Sequence, residues 1–180
     1  MKMNTLSYGL MGLLTSESYT GYDLMLKMRL FWNVNHSNIY PVLSALEKEC
    51  LVEYELIKQT GKPDKKIYSI TDNGIKLVNK WLKGDVNEPK PKDEMYLKFY
   101  CINLLDSDDA IKFIEKRENI YLRKVEYYNK ELNEVIKVHA DAEKNTKSPY
   151  FGKYILLLKD IRAANEDIRW CKQLCKIYRK

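Results

Sequence analysis

The side chains of this chain best suited to recognising another molecule lie on one face of a short segment with helical spacing. Its apolar positions recur as in a helix that packs against a core: Ile39, Val42, Leu43 and Leu46. On the other side stand four polar residues: Ser37, Asn38, Tyr40 and Ser44. An asparagine pairs with the N6 and N7 edge of adenine, and hydroxyl groups bind base edges or phosphates. The pattern predicts a helix that reads the major groove of DNA. In the alternative interpretation, Ser37 only caps the helix and Tyr40 packs on the β-hairpin that follows it.

A basic cluster follows this segment and suits the phosphate backbone of a nucleic acid. Two short segments, Val52–Leu56 and Lys66–Ile70, predict a β-hairpin with a turn at Gln59–Asp64. Three lysines lie at or beside its tip: Lys62, Lys65 and Lys66. A lysine-rich tip favours contact with phosphates or the minor groove, and the alternative is a solvated edge that resists aggregation. Thr20 and Tyr22 begin a further helix, whose free N–H groups are a second candidate phosphate site.

Aromatic side chains form a third group of candidates. Six residues are predicted to line a site for a planar aromatic ligand, with core packing as the alternative: Trp32, His36, Tyr96, Phe99, Tyr100 and Trp170. Cys171 and Cys175 lie one helical turn apart, but the chain has only two histidines, so a metal site is not expected. No phosphate-binding loop, nucleophile elbow or zinc-protease motif occurs. Neither catalysis nor a cofactor is therefore predicted.

The elements that must position these residues fall into two parts. Residues 1–85 show the order helix, helix, helix, strand, loop, strand, helix, which is that of a winged helix-turn-helix DNA-binding domain with the hairpin as its wing. Residues 83–92 contain prolines, a glycine and many charges and predict a linker. Residues 93–180 are predicted to be entirely helical, with helices at Met95–Leu105, at Ser107–Glu143 with Ser107 as N-cap, and after Pro149. The predicted fold is thus mainly α.

The two longest helices carry apolar residues at steps that alternate between four and three, which is the heptad pattern of coiled coils. The residues predicted to mediate dimerisation are Tyr121, Val125, Tyr128, Leu132, Val135, Leu158, Ile161 and Ile168. Such stripes need a partner. The helices must fold back on each other as an antiparallel hairpin, pack against a second chain, or do both. We expect residues 93–180 to form a helical, coiled-coil-like dimerisation domain.

Composition narrows the functional classes further. The net charge of +6 permits an anionic partner. Residues 1–85 hold 11 basic and 9 acidic residues, a net of +2, so one domain alone should bind DNA weakly. A dimer on two half-sites would compensate through effective concentration. No apolar run reaches the roughly 20 residues of a membrane span, and the four cysteines form no disulfide framework. These features predict a cytoplasmic protein without a membrane partner.

Three groups of residues in the first part resemble the PadR-type transcriptional regulators. They are Tyr8–Leu14 with Thr20–Asp23, Phe31-Trp32 with His36–Leu43 and Leu46-Glu47, and Gly61–Pro63 with Lys66, Tyr68, Thr71, Gly74 and Trp81-Leu82. The long helical tail is similar to that of the larger, two-domain subgroup of the family. The resemblance implies a homodimeric repressor whose winged helices bind a palindromic operator in double-stranded DNA. It also implies release of DNA when a small aromatic compound binds.

Two positions depart from the pattern of the family. Ser44-Ala45 stands where basic residues are expected, and Cys50 stands where glycine commonly ends the third helix. Either the backbone at Cys50 is not left-handed, or it is mildly strained. Two other functions stay open: an adaptor that kept the fold but binds protein rather than DNA, and a repressor that responds to no ligand.

Overall fold

The computed structural model describes residues 3–30, 32, 34–61, 64–85 and 93–179 of the 180-residue chain. The chain divides into two compact units, Met1–Asn87 and Glu88–Lys180. The predicted domain limits at 85 and 93 lie on either side of this division. Most of the predicted linker, residues 86–92, lies outside the described residues.

The first unit combines helices with a small sheet. Its elements are α1 (Thr5–Leu13), β1 (Tyr19–Thr20), α2 (Gly21–Met28), α3 (His36–Lys48), β2 (Val52–Ile57), β3 (Lys65–Ile70) and α4 (Asp72–Leu82). The strands form an antiparallel sheet in the order β1-β3-β2, which gives the predicted winged helix-turn-helix. The sequence does not predict β1, because two residues show no alternation. Its pairing partner, Tyr68 opposite Tyr19, lies far along the chain.

Short polar side chains set the start of two helices in this unit. Thr20 Oγ1 accepts a hydrogen bond from the Asp23 N–H at 3.1 Å and caps α2. Thr71 Oγ1 accepts from the Gly74 N–H at 3.2 Å and caps α4. These caps satisfy amide groups that have no partner inside the helix. Both helices begin where the sequence predicts.

The core of the first unit lies between α1–α3 and the inner face of the sheet. Its fully enclosed side chains come from each of these elements: Leu10, Met11, Leu24, Ile39, Leu43, Leu46 and Val52. The alternation in β2 predicts a half-buried strand, but Tyr54 is 38% and Leu56 is 49% exposed. That prediction holds only at Val52, because the wing extends beyond the helices that cover the start of the strand.

The backbone conformation of Cys50, just after α3, distinguishes the two expectations for this residue. The φ angle of Cys50 is 53° and therefore left-handed, so the expectation of a mildly strained backbone is the correct one. The Cys50 N–H donates to the Glu47 carbonyl at 2.9 Å, and the Leu51 N–H donates to the Leu46 carbonyl at 2.9 Å. These two bonds form a Schellman motif, which satisfies helical carbonyls at a position where a Cβ is disfavoured.

The second unit is helical throughout its described elements. They are α5 (Glu94–Tyr100), a 3-10 turn (Ile102–Leu104), α6 (Ser107–Val138) and α7 (Phe151–Tyr178). The predicted helix Met95–Leu105 is too long, because the chain tightens to the 3-10 turn after Tyr100. The predicted end of the next helix at Glu143 is also wrong, since α6 ends at Val138. Asp106 rather than Ser107 is its N-cap, and the Asp106 carboxylate accepts from the Asp109 N–H at 2.8 Å.

The helices α6 and α7 form an antiparallel hairpin. Lys153 near the start of α7 pairs with Glu131 in the second half of α6 at 2.8 Å, and Arg179 pairs with Glu115 at 3.0 Å. On α7 the buried positions are Leu157, Ala164, Ile168, Cys171 and Cys175. The sequence predicts Leu158 in this stripe, but it is 39% exposed. Ile168 belongs to both the predicted and the observed stripe, whereas Leu157 takes the place of Leu158 near the start of the helix, which leaves Leu158 on an outer face.

Among the described residues, no helix is long and apolar enough to cross a membrane.

Candidate nucleic-acid interface

The helix α3 presents the predicted polar face to solvent. Ile39, Leu43 and Leu46 are fully buried, and they hold the helix on the core. The residues on the opposite side are exposed: Ser37, Asn38, Tyr40 and Ser44. Pro41 lies in the second turn of α3, since the helix begins at His36. Its missing N–H leaves the helix without one backbone hydrogen bond, at an exposed position.

Asn35 and not Ser37 is the N-cap of α3. The Asn38 side-chain oxygen accepts from the Asn35 N–H at 3.3 Å, and Ser37 Oγ donates to the Asn35 side-chain oxygen at 2.6 Å. The first bond uses the oxygen of Asn38 and not its NH2 group. Asn38 therefore retains a donor for a base edge or a phosphate, which is the chemistry that the sequence predicts for it.

Three aromatic side chains, Tyr22, His36 and Tyr40, form a row that we call the aromatic row. The ring centroid of His36 lies 5.8 Å from that of Tyr22 and 5.7 Å from that of Tyr40. A Cβ at Gly21 would lie 2.7 Å from Cε1 of Tyr40, so only glycine lets this ring approach the start of α2. The sequence predicts His36 for a ligand site, whereas the structure places it between two residues predicted to bind DNA.

The start of α2 is occupied by its own cap. The Thr20 hydroxyl accepts from the Asp23 N–H and donates to the Asp23 carboxylate at 2.6 Å. The Asp23 carboxylate also accepts from the Thr20 N–H at 3.3 Å, which completes a capping box. A phosphate at this terminus would meet a carboxylate. Phosphate binding by Thr20 stays a prediction, while Tyr22, 51% exposed, is accessible.

Of the three wing lysines predicted to contact DNA, Lys65 and Lys66 differ in their surroundings, and Lys62 lies outside the described residues. Lys65 is exposed at the start of β3. Lys66 lies on the opposite face of the strand, with its Nζ 3.6 Å from the centroid of the Tyr54 ring and 3.7 Å from the carboxylate of Glu47. Interaction with Tyr54, and then with the Tyr68 and Glu47 side chains, raises the pKa of Lys66 above its usual value. The sequence did not predict the contacts of Lys66 with Tyr54 and Glu47, since strand register and helix packing create them.

The aromatic residues predicted for a ligand site separate into distinct environments. In the second unit, the Phe99 ring lies 4.6 Å from Trp170 and 5.1 Å from Phe113, edge-on to both. Tyr96 and Tyr100 are 70% and 87% exposed and do not enclose this cluster. Sequence reasoning missed Phe113, which has the same helical spacing as an ordinary core residue.

The two other candidates for the ligand site belong to the first unit. Trp32 is 51% exposed, and His36 lies in the aromatic row.

Arg117 fixes the start of α5 on α6 within the second unit. Its guanidinium donates to the Asp93 carboxylate and, at 2.6 Å, to the Tyr121 hydroxyl. The Met95 N–H and then Arg117 lower the pKa of Asp93 below its usual value. Tyr121, predicted for dimerisation, thus also takes part in a polar contact inside one chain.

The residues predicted for dimerisation divide between two faces of the hairpin. Tyr121, Val135 and Ile168 are buried within one chain, and Val125 packs beside them. Tyr128 and Leu132 are half-buried. An outer groove on α7 is lined by Leu158, Ile161, Arg162, Asn165, Ile168, Arg169 and Lys172. Leu158 and Ile161 therefore lie at a groove that is accessible in a single chain, and the buried Ile168 lies beneath it.

The buried thiols of the second unit offer no metal site. Cys171 and Cys175 belong to the core between α6 and α7, and burial raises the pKa of Cys171 to about 11. In the part of the chain that the structure describes, no group of three or more His, Cys, Asp or Glu residues could hold a metal ion.

A polar helix face beside a β-hairpin, on a winged helix-turn-helix core, is typical of transcriptional regulators. The model of the Transcriptional regulator PadR-like family matches residues 10–80, and that of the Virulence activator alpha C-term family matches residues 91–179. The two matches lie one in each unit, and the chain resembles PadR-like transcriptional regulators that carry this C-terminal extension. As predicted, the proteins that it resembles are regulators and not enzymes.

Several relatives match along nearly the whole chain. The Negative transcriptional regulator PadR of Bacillus subtilis is 29% identical in an alignment 178 residues long that covers 96% of each chain. The crystal structure of B. subtilis PadR in complex with operator DNA matches with a TM-score of 0.84 and 27% identity over 99% of both chains. The complex of the same protein with p-coumaric acid matches with a TM-score of 0.76 and 26% identity, over 98% of this chain and 100% of that one.

Proposed function

We propose that this protein is a repressor of transcription that binds a palindromic operator as a homodimer. The observation that carries the proposal is the exposed polar face of α3, which continues into the aromatic row. The similarity to B. subtilis PadR, a negative regulator with a solved operator complex, supports DNA as the partner. In this proposal α3 lies in the major groove, as the second helix of a helix-turn-helix does.

The residues of α3 divide the recognition between bases and backbone. Asn38 retains an NH2 donor for an adenine N7 or a phosphate, and the hydroxyl groups of Ser37 and Ser44 reach base edges. Tyr40 and Tyr22 place further hydroxyl groups beside them. Lys65, and Lys62 three residues before it in the sequence, supply charge for the flanking phosphates.

Dimerisation compensates for the small charge of the DNA-binding unit. A net of +2 over residues 1–85 gives weak binding, and a second copy on the other half-site raises the apparent affinity through effective concentration. We place the contact between copies at the groove of Leu158, Ile161 and Ile168. The other predicted dimerisation residues support this surface by holding α6 against α7.

A small aromatic acid is the proposed effector. B. subtilis PadR has been solved with p-coumaric acid, and this chain offers the edge-on cluster of Phe99, Phe113 and Trp170 as an aromatic surface. A ligand that binds the DNA-free protein more tightly than the DNA-bound protein lowers the affinity for the operator. At saturation, the factor is the ratio of the ligand's affinities for these two states. Thermal unfolding in the presence of phenolic acids tests this part. Stabilisation supports an effector, and its absence across the series favours a repressor that responds to no ligand.

Fluorescence anisotropy with the DNA upstream of the protein's own gene tests DNA binding. We expect the logarithm of the affinity to fall linearly with the logarithm of the salt concentration, as phosphate contacts require. Tyr40→Ala should lose binding. Tyr96→Ala, which removes an exposed tyrosine of α5, serves as the matched control and should retain it. Failure to bind this DNA or any fragment selected from the genome would favour the adaptor.

Sedimentation velocity tests the dimer. We expect a dimer at micromolar concentration, and Leu158→Glu should shift it towards monomer, because a charge would enter the proposed contact. Ile177→Glu, at a residue that is 63% exposed outside the groove, should not. A monomeric wild type would overturn this part of the proposal.

A further inference from the structure

We propose that Lys66 is a positioning residue that fastens the wing to the reading helix, rather than a lysine that contacts DNA phosphate. This inference deepens the proposed function and rests on it. It concerns how the wing is oriented beside α3 when the protein meets its operator.

The strand register places Lys66 on the inner face of the hairpin. Lys66 pairs with Leu56, and Tyr54 pairs with Tyr68, so these side chains share the face that continues to Val52 and the core. Tyr68 is 4% exposed. Lys65, one residue earlier, points to the other face, because successive side chains of a strand alternate.

Two contacts engage the ammonium group of Lys66. Its Nζ lies 3.6 Å from the centroid of the Tyr54 ring, within the range of a cation–π interaction. It also lies 3.7 Å from the carboxylate of Glu47, in the last turns of α3. Lys66 therefore joins β2, β3 and α3 through one side chain.

The charge balance argues against phosphate contact by Lys66. A lysine that already neutralises a carboxylate brings no uncompensated charge to DNA, since releasing it for a phosphate would leave Glu47 unpaired beside the backbone. Elsewhere in the wing, Lys65 is exposed without a carboxylate partner among the ion pairs of the described residues. Lys65 is therefore available for phosphate contact, whereas Lys66 has a positioning role.

A wing that is held by Lys66 binds DNA without first being ordered. When the contact is lost, the wing samples other orientations, and the apparent affinity falls by the fraction of molecules in the binding-competent one. For an exposed ion pair with a cation–π contact, we expect a fall of about two- to fivefold per protomer.

The slope of affinity against salt separates positioning from phosphate contact. We would measure operator affinity by anisotropy between low and moderate salt for the wild type, Lys66→Met and Lys65→Met. Positioning predicts weaker binding by Lys66→Met with an unchanged slope, while Lys65→Met lowers the slope by about 1 per protomer. A slope lowered to the same degree by Lys66→Met would overturn the inference.

Glu47→Gln should change the operator affinity in opposite directions for the two roles of Lys66, positioning and phosphate contact. If Lys66 contacted phosphate, removing an acidic group from a DNA-binding helix and releasing Lys66 would strengthen binding. Positioning predicts weaker binding, with Lys66→Met/Glu47→Gln no more than about twofold weaker than either single variant. Lys66→Arg should restore affinity, since arginine keeps both contacts. Tighter binding by Glu47→Gln, or unchanged binding by both single variants, would overturn the inference.

Hydrogen exchange of the wing provides a readout without DNA. The amides of β2 and β3 should exchange faster in Lys66→Met and Glu47→Gln than in the wild type, while those of α1 and α2 should not change. A wild type that binds no DNA refutes the proposed function. A wild type that binds, with variants that leave the wing amides unchanged, refutes only the role of Lys66.

Discussion

Replacing Asn38 by aspartate should raise the stability of the protein and lower its affinity for DNA. Asn38 lies in the first turn of α3, and its side-chain oxygen accepts from the Asn35 N–H at 3.3 Å. Asn38→Asp keeps this acceptor and removes the NH2 group. The substitution therefore leaves the helix cap intact while deleting the donor that we assign to DNA.

The two effects have opposite signs and can be estimated separately. The first turn of α3 contains no acidic residue, and a carboxylate there interacts favourably with the helix dipole by about 0.3–1 kcal/mol. We expect the Tm to stay constant or rise by about 1–4 °C. Losing a base contact costs about 1–3 kcal/mol, which is roughly a 5- to 150-fold weaker affinity per half-site. Repulsion between the new carboxylate and phosphate adds to the loss.

Thermal unfolding and operator anisotropy on the same preparations provide the assay. The matched control is Asn73→Asp, an exposed residue in the first turn of α4, where the same charge should be tolerated without loss of DNA binding. A lower Tm together with weaker binding by Asn38→Asp would show that Asn38 acts through the fold. Unchanged affinity would refute its place at the interface.

Further predictions concern the packing and the thiols. Gly74→Ala should destabilise the first unit by about 1–3 kcal/mol in urea unfolding, because its Cβ would lie 2.3 Å from the Leu51 carbonyl oxygen. Gly12→Ala, with open space around the new Cβ, should stabilise by about 0.5–1 kcal/mol instead. A loss of stability at Gly12 would contradict this reasoning. Cys50→Gly should raise the free energy of unfolding by about 0.5–1 kcal/mol, since it relieves the left-handed φ of 53°, and a destabilised variant would refute the strain. The thiols of Cys171 and Cys175 should react with a disulfide reagent at pH 8 only after unfolding. Burial raises the pKa of Cys171 to about 11, so stability should fall as the pH rises from roughly 8.5, the pKa of a free thiol, towards that value. Rapid labelling of the native thiol would contradict this prediction.

Local patterns predicted the elements of the first unit well. The threonines that start α2 and α4 are capping residues in the structure, because a cap depends on neighbours within three residues. The exposed polar face of α3 follows from the helical spacing of Ile39, Leu43 and Leu46, which must turn towards a core. The left-handed backbone at Cys50 was one of two expectations, and hydrogen bonds at the end of α3 decided between them.

Sequence patterns were less reliable for the long helices α6 and α7, where packing between the two helices decides which residues are buried. The sequence places the end of α6 at Glu143, because the helical spacing of apolar residues continues beyond Val138. In the structure α6 ends at Val138, and the residues that follow form the turn to α7. Near the start of α7 the buried stripe is displaced by one residue from the predicted one, so Leu157 is buried and Leu158 is exposed, whereas Ile168 belongs to both stripes. Both stripes have acceptable heptad spacing, and packing against α6 selects one of them.

The sequence by itself determined the class of fold, the starts of α2 and α4 and the polar face of α3 that is exposed. These depend on periodicity and on contacts between residues close in the chain. Only the tertiary structure decided the partners of Lys66, the place of His36 in the aromatic row and the need for Gly21 beneath Tyr40. Each of these depends on a contact between separate elements, whose register and approach arise from packing of the whole unit.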